Sequence, residues 1–227
     1  MTARLNSLCV SCLLVMLLTA CSREKEPPRA QAPARTSRQA EKTEPQIKEL
    51  QAEDEVAVIT TDFGRIILRF YPEIATNHVN NFKSLARAKF YDGTTFHRVI
   101  PPGVSSLAVI QGGDPNSQDD NLGNDGMGDG PRRLRAEFSR ERHRRGILSM
   151  ARGQNPHSAS CQFFICLADA FFLDGQYSVF GKVVKGIEVA DNIAALPRNE
   201  KDNPGKAATI RSITIERAGD VLEFPLS

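Results

Sequence analysis

Apolar and polar residues alternate in several short runs of this chain, which is the pattern of β-strands that bury one face. Residues 56–60 and 66–70 are two such runs, and they flank the turn signal Asp62-Phe63-Gly64. They therefore predict a β-hairpin. Strands rich in β-branched and aromatic residues are also predicted at residues 96–100, 147–151, 161–166, 179–183 and 210–216.

Two segments follow a helical period instead. Thr76 is placed to cap a helix whose apolar positions share one face, namely Val79, Phe82, Leu85 and Ala86. A second short helix is predicted from Ile187, Ala190, Ile193 and Ala194. Residues 112–130 consist mainly of Gly, Asp and Asn and predict a loop. Many short strands with only two helices favour a closed, mainly β sheet.

The N-terminus carries features of an export signal. Arg4 precedes an apolar run at residues 8–18, which is too short to span a bilayer and is typical of a signal-peptide core. Leu18-Thr19-Ala20-Cys21 resembles the bacterial lipobox. This resemblance implies cleavage before Cys21 and a lipid on its thiol, and an ordinary secretory signal with an incidental Cys is the alternative. Ser22 occupies the position where Asp would suggest retention in the inner membrane, so the outer membrane is favoured where a cell has two.

Domain boundaries follow from a change in composition. Residues 22–53 are rich in Pro, Arg, Lys, Glu, Gln and Ala, and such a segment buries too little apolar surface to fold by itself. We therefore predict a signal peptide at 1–20, a lipidated Cys21 with a polar tether to residue 53, a folded domain at 54–218, and a C-terminal tail at 219–227. The chain is expected in the cell envelope, held by its lipid and facing the periplasm or the exterior.

Charge and cysteine usage exclude several functions. The net charge of +2 gives no reason to expect a polyanionic partner. An arginine-rich run at residues 132–145 lacks the aromatic pattern that stacks bases, so no nucleic acid is expected. A solvated face is the main interpretation of this run, and an anionic lipid or acidic partner is the alternative.

Cys161 and Cys166 would lie about 16 Å apart along one strand, beyond the disulfide limit of about 7 Å, so both are predicted to be free thiols. Neither zinc nor calcium spacing is present, and no metal is expected.

Candidate chemistry centres on Arg98. The alternation predicts that Phe96, Arg98 and Ile100 share a strand face, and that Gln162 and Phe164 share another. A guanidinium, amide groups and an aromatic ring are what a groove needs to hold a peptide backbone and a flat apolar ring. An edge-strand Arg with its head in water is the alternative.

The chain resembles the cyclophilins, which are peptidyl-prolyl cis-trans isomerases, over about residues 56–216. Six motifs carry the resemblance, in this order: Phe96-His97-Arg98-Val99-Ile100, Gln111-Gly112-Gly113-Asp114, Ser149-Met150-Ala151-Arg152, Ser160-Cys161-Gln162-Phe163-Phe164-Ile165, Leu173-Asp174-Gly175 and Val179-Phe180-Gly181-Lys182-Val183. It implies a mainly β fold, a closed eight-stranded antiparallel barrel capped by two helices. It further implies isomerisation of X-Pro bonds, with no cofactor expected, and in this compartment assistance in the folding of exported proteins. The chain is expected to be a monomer.

The resemblance also assigns roles. It implies that Arg98 is the catalytic arginine, that Gln162 holds this arginine in place, and that Gln111 holds the peptide. Substrate contacts are implied for Phe96, Val109, Gln111, Ala151, Arg152, Phe164, Phe172, Leu173 and Tyr177.

One departure from the family pattern affects the proline pocket. The segment 101–107 is longer than in most members, and Ala108 stands where the pocket has a Phe. Either Leu107 replaces the missing ring or the pocket floor is open. A module that binds Pro-containing segments without turnover, as a holdase or scaffold, is therefore the alternative function. A structural envelope lipoprotein that anchors through its basic run is a third hypothesis.

Overall fold

The computed structural model describes residues 45–223, so the predicted signal peptide, Cys21 and most of the predicted tether lie outside the described residues. The strands are β1 (Glu55–Thr61), β2 (Gly64–Phe70), β3 (Arg98–Ile100), β4 (Val109–Gly112), β5 (Ile147–Met150), β6 (Phe163–Cys166), β7 (Val179–Lys185) and β8 (Ile210–Arg217). The α-helices are α1 (Pro72–Arg87), α2 (Ile187–Ala194) and the single turn α3 (Ala218–Val221).

All eight strands of the described region form one antiparallel sheet in the order β3-β4-β6-β5-β7-β2-β1-β8. The sheet curls until its two edges approach each other. They meet at an isolated bridge between Thr95 and Thr209, next to which the Phe96 N–H donates to the Ala208 carbonyl at 2.9 Å. The predicted eight-stranded barrel is confirmed, although its closure is one bridge outside the strands rather than a continuous ladder.

The predicted hairpin is confirmed. β1 and β2 pair from Val56 opposite Arg69 to Thr61 opposite Gly64, which leaves a two-residue turn. The Thr61 hydroxyl donates to the Gly64 carbonyl at 2.9 Å and so closes this turn.

Helix α1 begins differently from the prediction. The backbone is non-helical at Ala75 (φ −148°, ψ 54°), and Thr76 donates its hydroxyl to the carbonyl four residues earlier instead of capping the helix. The Glu137 carboxylate takes the cap, since it accepts from the backbone N–H groups of Asn77 at 3.1 Å and His78 at 3.0 Å. A carboxylate is favourable there because the first N–H groups of a helix are unpaired and carry partial positive charge.

Phe82 on α1 lies at the centre of the core. Its ring centroid is 5.1 Å from that of Tyr91, 5.2 Å from Phe163, 5.5 Å from Phe180 and 5.9 Å from Phe70. Phe70, Phe163 and Phe180 lie on β2, β6 and β7, and Tyr91 lies in the segment after α1, so the helix joins strands from both halves of the sheet. The predicted second helix is confirmed as α2.

Part of the predicted tether packs against part of the predicted tail. The N–H groups of Ala218 and Gly219 donate to the carbonyls of Asp54 and Ala52, each at 2.8 Å. The buried side chain of Leu222 packs in the same apolar cluster as β1. In residues 45–223, none of the helices has the length and apolar character needed to cross a bilayer.

The arginine-rich run is a surface loop that the chain's own carboxylates partly neutralise. Arg133 pairs with Asp129 at 2.5 Å, and Arg145 makes a bidentate pair with Asp191 at 2.6 and 2.9 Å. Both cysteines are free, as predicted, and both are buried, which raises their thiol pKa to about 11 for Cys161 and about 12 for Cys166.

Candidate active site

An apolar pocket with a polar rim opens where β3, β4 and β6 meet the loops beside β5 and β7. Its volume is about 190 Å³. The residues that line it are Arg98, Leu107, Val109, Gln111, Ala151, Arg152, Phe164, Leu173 and Tyr177. All of these except Leu107 were assigned to the site from the sequence, so the predicted residues do converge.

Arg98 stands on β3 directly opposite Gln111 of β4. It is half-buried, and among the described residues its guanidinium has no hydrogen-bond or ion-pair partner. Because an arginine remains charged at all relevant pH values, its donors are available to a ligand in the pocket.

Contacts to the side-chain nitrogen of Gln111 hold this residue in place and leave its side-chain oxygen available. Its Nε2 donates to Gln162 Oε1 at 3.1 Å and lies 3.4 Å from His97 Nε2. Burial lowers the pKa of His97, so the ring is neutral and Nε2 can accept. The Gln111 side-chain oxygen has no partner among the described residues. It is therefore placed to accept an N–H from a peptide, which agrees with the role that the sequence implied.

Gln162 has a different partner from the expected one. It was expected to hold Arg98, but its oxygen accepts from Gln111, and its Nε2 donates to the carbonyls of Gly128 at 2.8 Å and Gly126 at 3.1 Å. The Gly126 loop is itself fixed, since its N–H donates to the buried Asp114 carboxylate. Gln162 thus positions Gln111 rather than Arg98.

The first side of the pocket is an aromatic wall formed by Phe164, Leu173 and Tyr177. The Phe164 and Tyr177 rings are 5.7 Å apart at 85°, an edge-to-face contact. Behind them the His143 ring stacks on Phe164 at 6.2 Å and 15°. The orientation of Phe164 is therefore set from both its edge and its rear face.

A buried polar network supports the aromatic wall. His143 Nδ1 lies 3.0 Å from Asp174 Oδ1, and His143 Nε2 lies 3.1 Å from the Ser149 hydroxyl. Burial lowers the pKa of His143, although Asp174 opposes this shift. Burial acts to raise the pKa of Asp174, but hydrogen bonds from His143 and Arg142 outweigh it and hold that pKa below its ordinary value.

This network was not predicted from the sequence. Its members come from the arginine-rich loop, from β5 and from the turn after Leu173, and no local spacing connects them. Ser149 and His143 are both fully buried. A substrate carbonyl cannot reach the Ser149 hydroxyl, so the three side chains support the wall and do not form a nucleophilic triad.

The second side of the pocket is a loop wall, formed by Leu107 at the end of the long segment 101–107. The Ser105 hydroxyl donates to the Leu107 carbonyl at 2.7 Å and accepts from the Leu107 N–H at 3.2 Å. Ala108 points the other way, into the barrel core, where only 2% of it is exposed. Of the two alternatives left open by the sequence, the structure favours Leu107 as the pocket wall.

Besides Gln162, two assigned residues do not line this pocket, namely Phe96 and Phe172. Phe96 is fully buried in the core, 6.2 Å from the Phe163 ring, because β3 begins only at Arg98 and the alternation does not extend back to residue 96. A side chain on Gly112 would meet the Phe96 ring at 3.0 Å, which explains the glycine after Gln111. Phe172 is half exposed beside the aromatic wall and is absent from the pocket lining.

A second cavity of about 450 Å³ continues the pocket. The two cavities share Gln111, Ala151 and Arg152, and Gln162 lines the second one. The Ala151 N–H is already bonded to the Gln162 carbonyl at 2.9 Å. Together the cavities form an open groove with one apolar end, a shape suited to an extended peptide with one buried ring.

Comparison with known proteins identifies a consistent set of relatives. Residues 56–215 match the family model described as cyclophilin type peptidyl-prolyl cis-trans isomerase. A probable peptidyl-prolyl cis-trans isomerase of Brucella abortus is 42% identical over 130 residues, which are 57% of this chain and 66% of that protein, just under two thirds of its length. Peptidyl-prolyl cis-trans isomerase ppi1 of Schizosaccharomyces pombe is 37% identical over 148 residues, covering 64% of this chain and 89% of that protein.

A solved structure has the same fold. It is the cyclophilin type peptidyl-prolyl cis-trans isomerase of Cryptosporidium parvum, crystallised in the presence of the dipeptide Ala-Pro. The TM-score is 0.63 at 28% sequence identity, and the match covers 71% of this chain and 98% of that one.

Proposed function

This chain belongs to the cyclophilin-type peptidyl-prolyl cis-trans isomerase family, and from that premise we propose that it catalyses rotation about X-Pro bonds in the groove beside Arg98. The observation that carries the proposal is an unpaired guanidinium at the rim of an apolar pocket. The pocket accepts the proline ring against Phe164 and Leu173. Gln111 and the backbone beside Ala151 hold the flanking peptide.

The reaction needs no covalent step by the protein. Rotation about an amide meets a barrier of about 18–20 kcal/mol because it breaks the resonance of the bond. In the twisted state the proline nitrogen is pyramidal and its lone pair is localised. The Arg98 guanidinium can donate to that lone pair, which the planar isomers do not offer. An interaction stronger in the transition state than in either ground state is what accelerates the step.

The direct test is turnover of a short neutral Pro peptide by the full chain, by an Arg98→Ala variant and by an Arg211→Ala control. Loss of one well-placed donor typically lowers a rate by about 10²–10³-fold, so we expect a decrease of that order for Arg98→Ala. Arg211 pairs with Asp62 at the β1–β2 turn and lines neither cavity, so its variant should retain activity. Peptide binding without turnover by the unaltered chain would instead support the alternative of a holdase or scaffold.

We further propose that the domain works in the cell envelope on exported proteins, as a monomer held by a lipid on Cys21. The lipobox-like sequence and the polar segment after it support this proposal. A lipid anchor with more than one acyl chain binds a membrane stably. Cys21→Ala should therefore move the protein from the membrane fraction to the soluble fraction. Retention of that variant on membranes would contradict the anchor and would point to binding by the domain itself.

A further inference from the structure

The pocket carries positive charge that nothing in its lining balances. Arg98 and Arg152 both line it, and among the described residues no carboxylate does. The isomerase reaction accounts for Arg98. It does not account for Arg152.

Arg152 is fixed at the mouth of the pocket. Its Nε donates to the Gln176 carbonyl at 2.9 Å and its Nη1 donates to the Gly153 carbonyl at 2.8 Å. The guanidinium carbon lies 4.6 Å from the centroid of the Tyr177 ring. Carbonyls and an aromatic face orient a guanidinium without cancelling its charge. The positive charge is therefore held in position before any peptide binds.

The neighbouring arginine of the groove differs from Arg152. Arg133 lines the second cavity together with Asp129, and the two are paired at 2.5 Å. Their charges largely cancel. The unbalanced charge along the groove is thus that of Arg98 and Arg152, and of these only Arg152 is free of a role in the rotation step.

Building on the isomerase function proposed above, we propose that the groove prefers polypeptides with an acidic side chain next to the proline, and that Arg152 determines this preference. A Glu or Asp flanking the bound proline comes close to a fixed guanidinium, whereas a Lys or Arg there meets repulsion. Fixed charges at an interface act mainly on the encounter rate and on the exclusion of like charges. The expected effect therefore falls on kcat/KM.

The test uses two peptide series, one varied before the proline and one after it, with Glu, Gln or Lys at the varied position. At low salt we expect kcat/KM to fall from Glu to Gln to Lys in at least one series. Partly exposed charge pairs predict about a threefold to tenfold difference between Glu and Lys. The difference should shrink as salt shortens the screening length.

Variants of the full chain identify the residue responsible. Arg152→Gln should lower the Glu-to-Lys ratio, since only the charge of Arg98 is then left in the pocket, and Arg152→Lys should retain more of the ratio because the charge remains. The matched control is Arg211→Gln, which changes the net charge equally outside the groove and should leave the ratio as it is. Measuring a ratio keeps the test independent of any general loss of activity in the Arg152 variants.

The possible failures are distinguishable. Turnover of the Gln peptides with equal rates for Glu and Lys would overturn the charge preference and leave the isomerase function intact. A Glu-to-Lys ratio that Arg152→Gln leaves unchanged would overturn the role of Arg152. Absence of turnover with the Gln peptides would overturn the isomerase function itself.

Discussion

The two walls of the proline pocket are built in different ways. The aromatic wall, formed by Phe164, Leu173 and Tyr177, rests on the buried His143 and its hydrogen bonds. The loop wall, formed by Leu107, is held by two hydrogen bonds to Ser105, and residues 102–106 before it are all exposed.

The two kinds of support give the two walls different roles in binding the proline ring of the substrate. A wall with buried, satisfied polar support keeps one geometry, because every alternative would leave a buried donor or acceptor unpaired. A wall on an exposed loop has few contacts to lose and tolerates changes in sequence and length. We therefore expect the aromatic wall to orient the proline and the loop wall to adjust its affinity.

The largest effect should come from removing the aromatic wall. Phe164 is 5% exposed, and Phe→Ala in a core typically costs about 3–5 kcal/mol of the free energy of unfolding. We expect Phe164→Ala to lose stability in that range, measured by denaturant unfolding, and to raise KM. A loss below about 1 kcal/mol would show that the wall has no rigid support.

A smaller effect is expected from enlarging Ala108. Because Ala108 points into the core, Ala108→Phe should overpack it and cost about 1–3 kcal/mol. KM should not improve, since the new ring does not face the pocket. A lower KM in a stable Ala108→Phe protein would place residue 108 in the pocket and would remove Leu107 from the loop wall.

Leu107→Ala should affect affinity with little change in stability. Leu107 is only partly buried, so its truncation should cost less than about 1 kcal/mol of the free energy of unfolding. KM should rise while kcat changes less, which is the signature of an interaction made equally in the ground and transition states. Kinetics with one Pro peptide series would measure both. A decrease in kcat at constant KM would contradict the loop wall's role in binding.

The smallest expected effect is the pH dependence of stability that comes from His143, which supports the aromatic wall. Burial lowers the pKa of His143 below its ordinary value of 6.5, so the unfolded chain takes up this proton more readily than the folded protein does. Stability from this group is present above pH 6.5 and is lost as the pH falls through the folded-state pKa. His78 and His97 have lowered pKa values for the same reason and act in the same direction.

Unfolding measured between pH 7.5 and 5 should therefore show a decline that His143→Gln makes shallower. The exposed His157 supplies the matched control, His157→Gln, which should leave the decline unchanged. Identical pH profiles for the unaltered chain and His143→Gln would mean that this histidine is not held neutral behind the wall.

Local patterns predicted the parts of the fold whose interactions are local. The hairpin, α2 and the strands that begin at Arg98 and Phe163 follow from alternation, helical period and family motifs, whereas β4 was not among the strands that alternation predicted. Phe96 was misplaced because the alternation was extended beyond the start of β3. The helix cap was missed because it comes from Glu137, about 60 residues along the chain.

Site residues that lie within or beside the family motifs could be assigned from the sequence. Arg98, Val109, Gln111 and Phe164 could be assigned because the flanking motifs fixed their positions. Leu107 could not be chosen over Ala108, because the inserted segment breaks the spacing and only the packing direction decides between them. The support from His143, Ser149 and Asp174 is invisible in the sequence, since three separate segments bring it together.

The most direct test separates chemistry from binding at Arg98 by NMR exchange spectroscopy on a Pro peptide, with its affinity measured under the same conditions. We expect Arg98→Ala to slow catalysed cis-trans exchange by about 10²–10³-fold while the dissociation constant changes only a few-fold, and we expect the opposite pattern for Leu107→Ala. Exchange in the Arg98→Ala protein as fast as in the unaltered chain, with the peptide bound, would contradict the claim that this guanidinium stabilises the twisted bond.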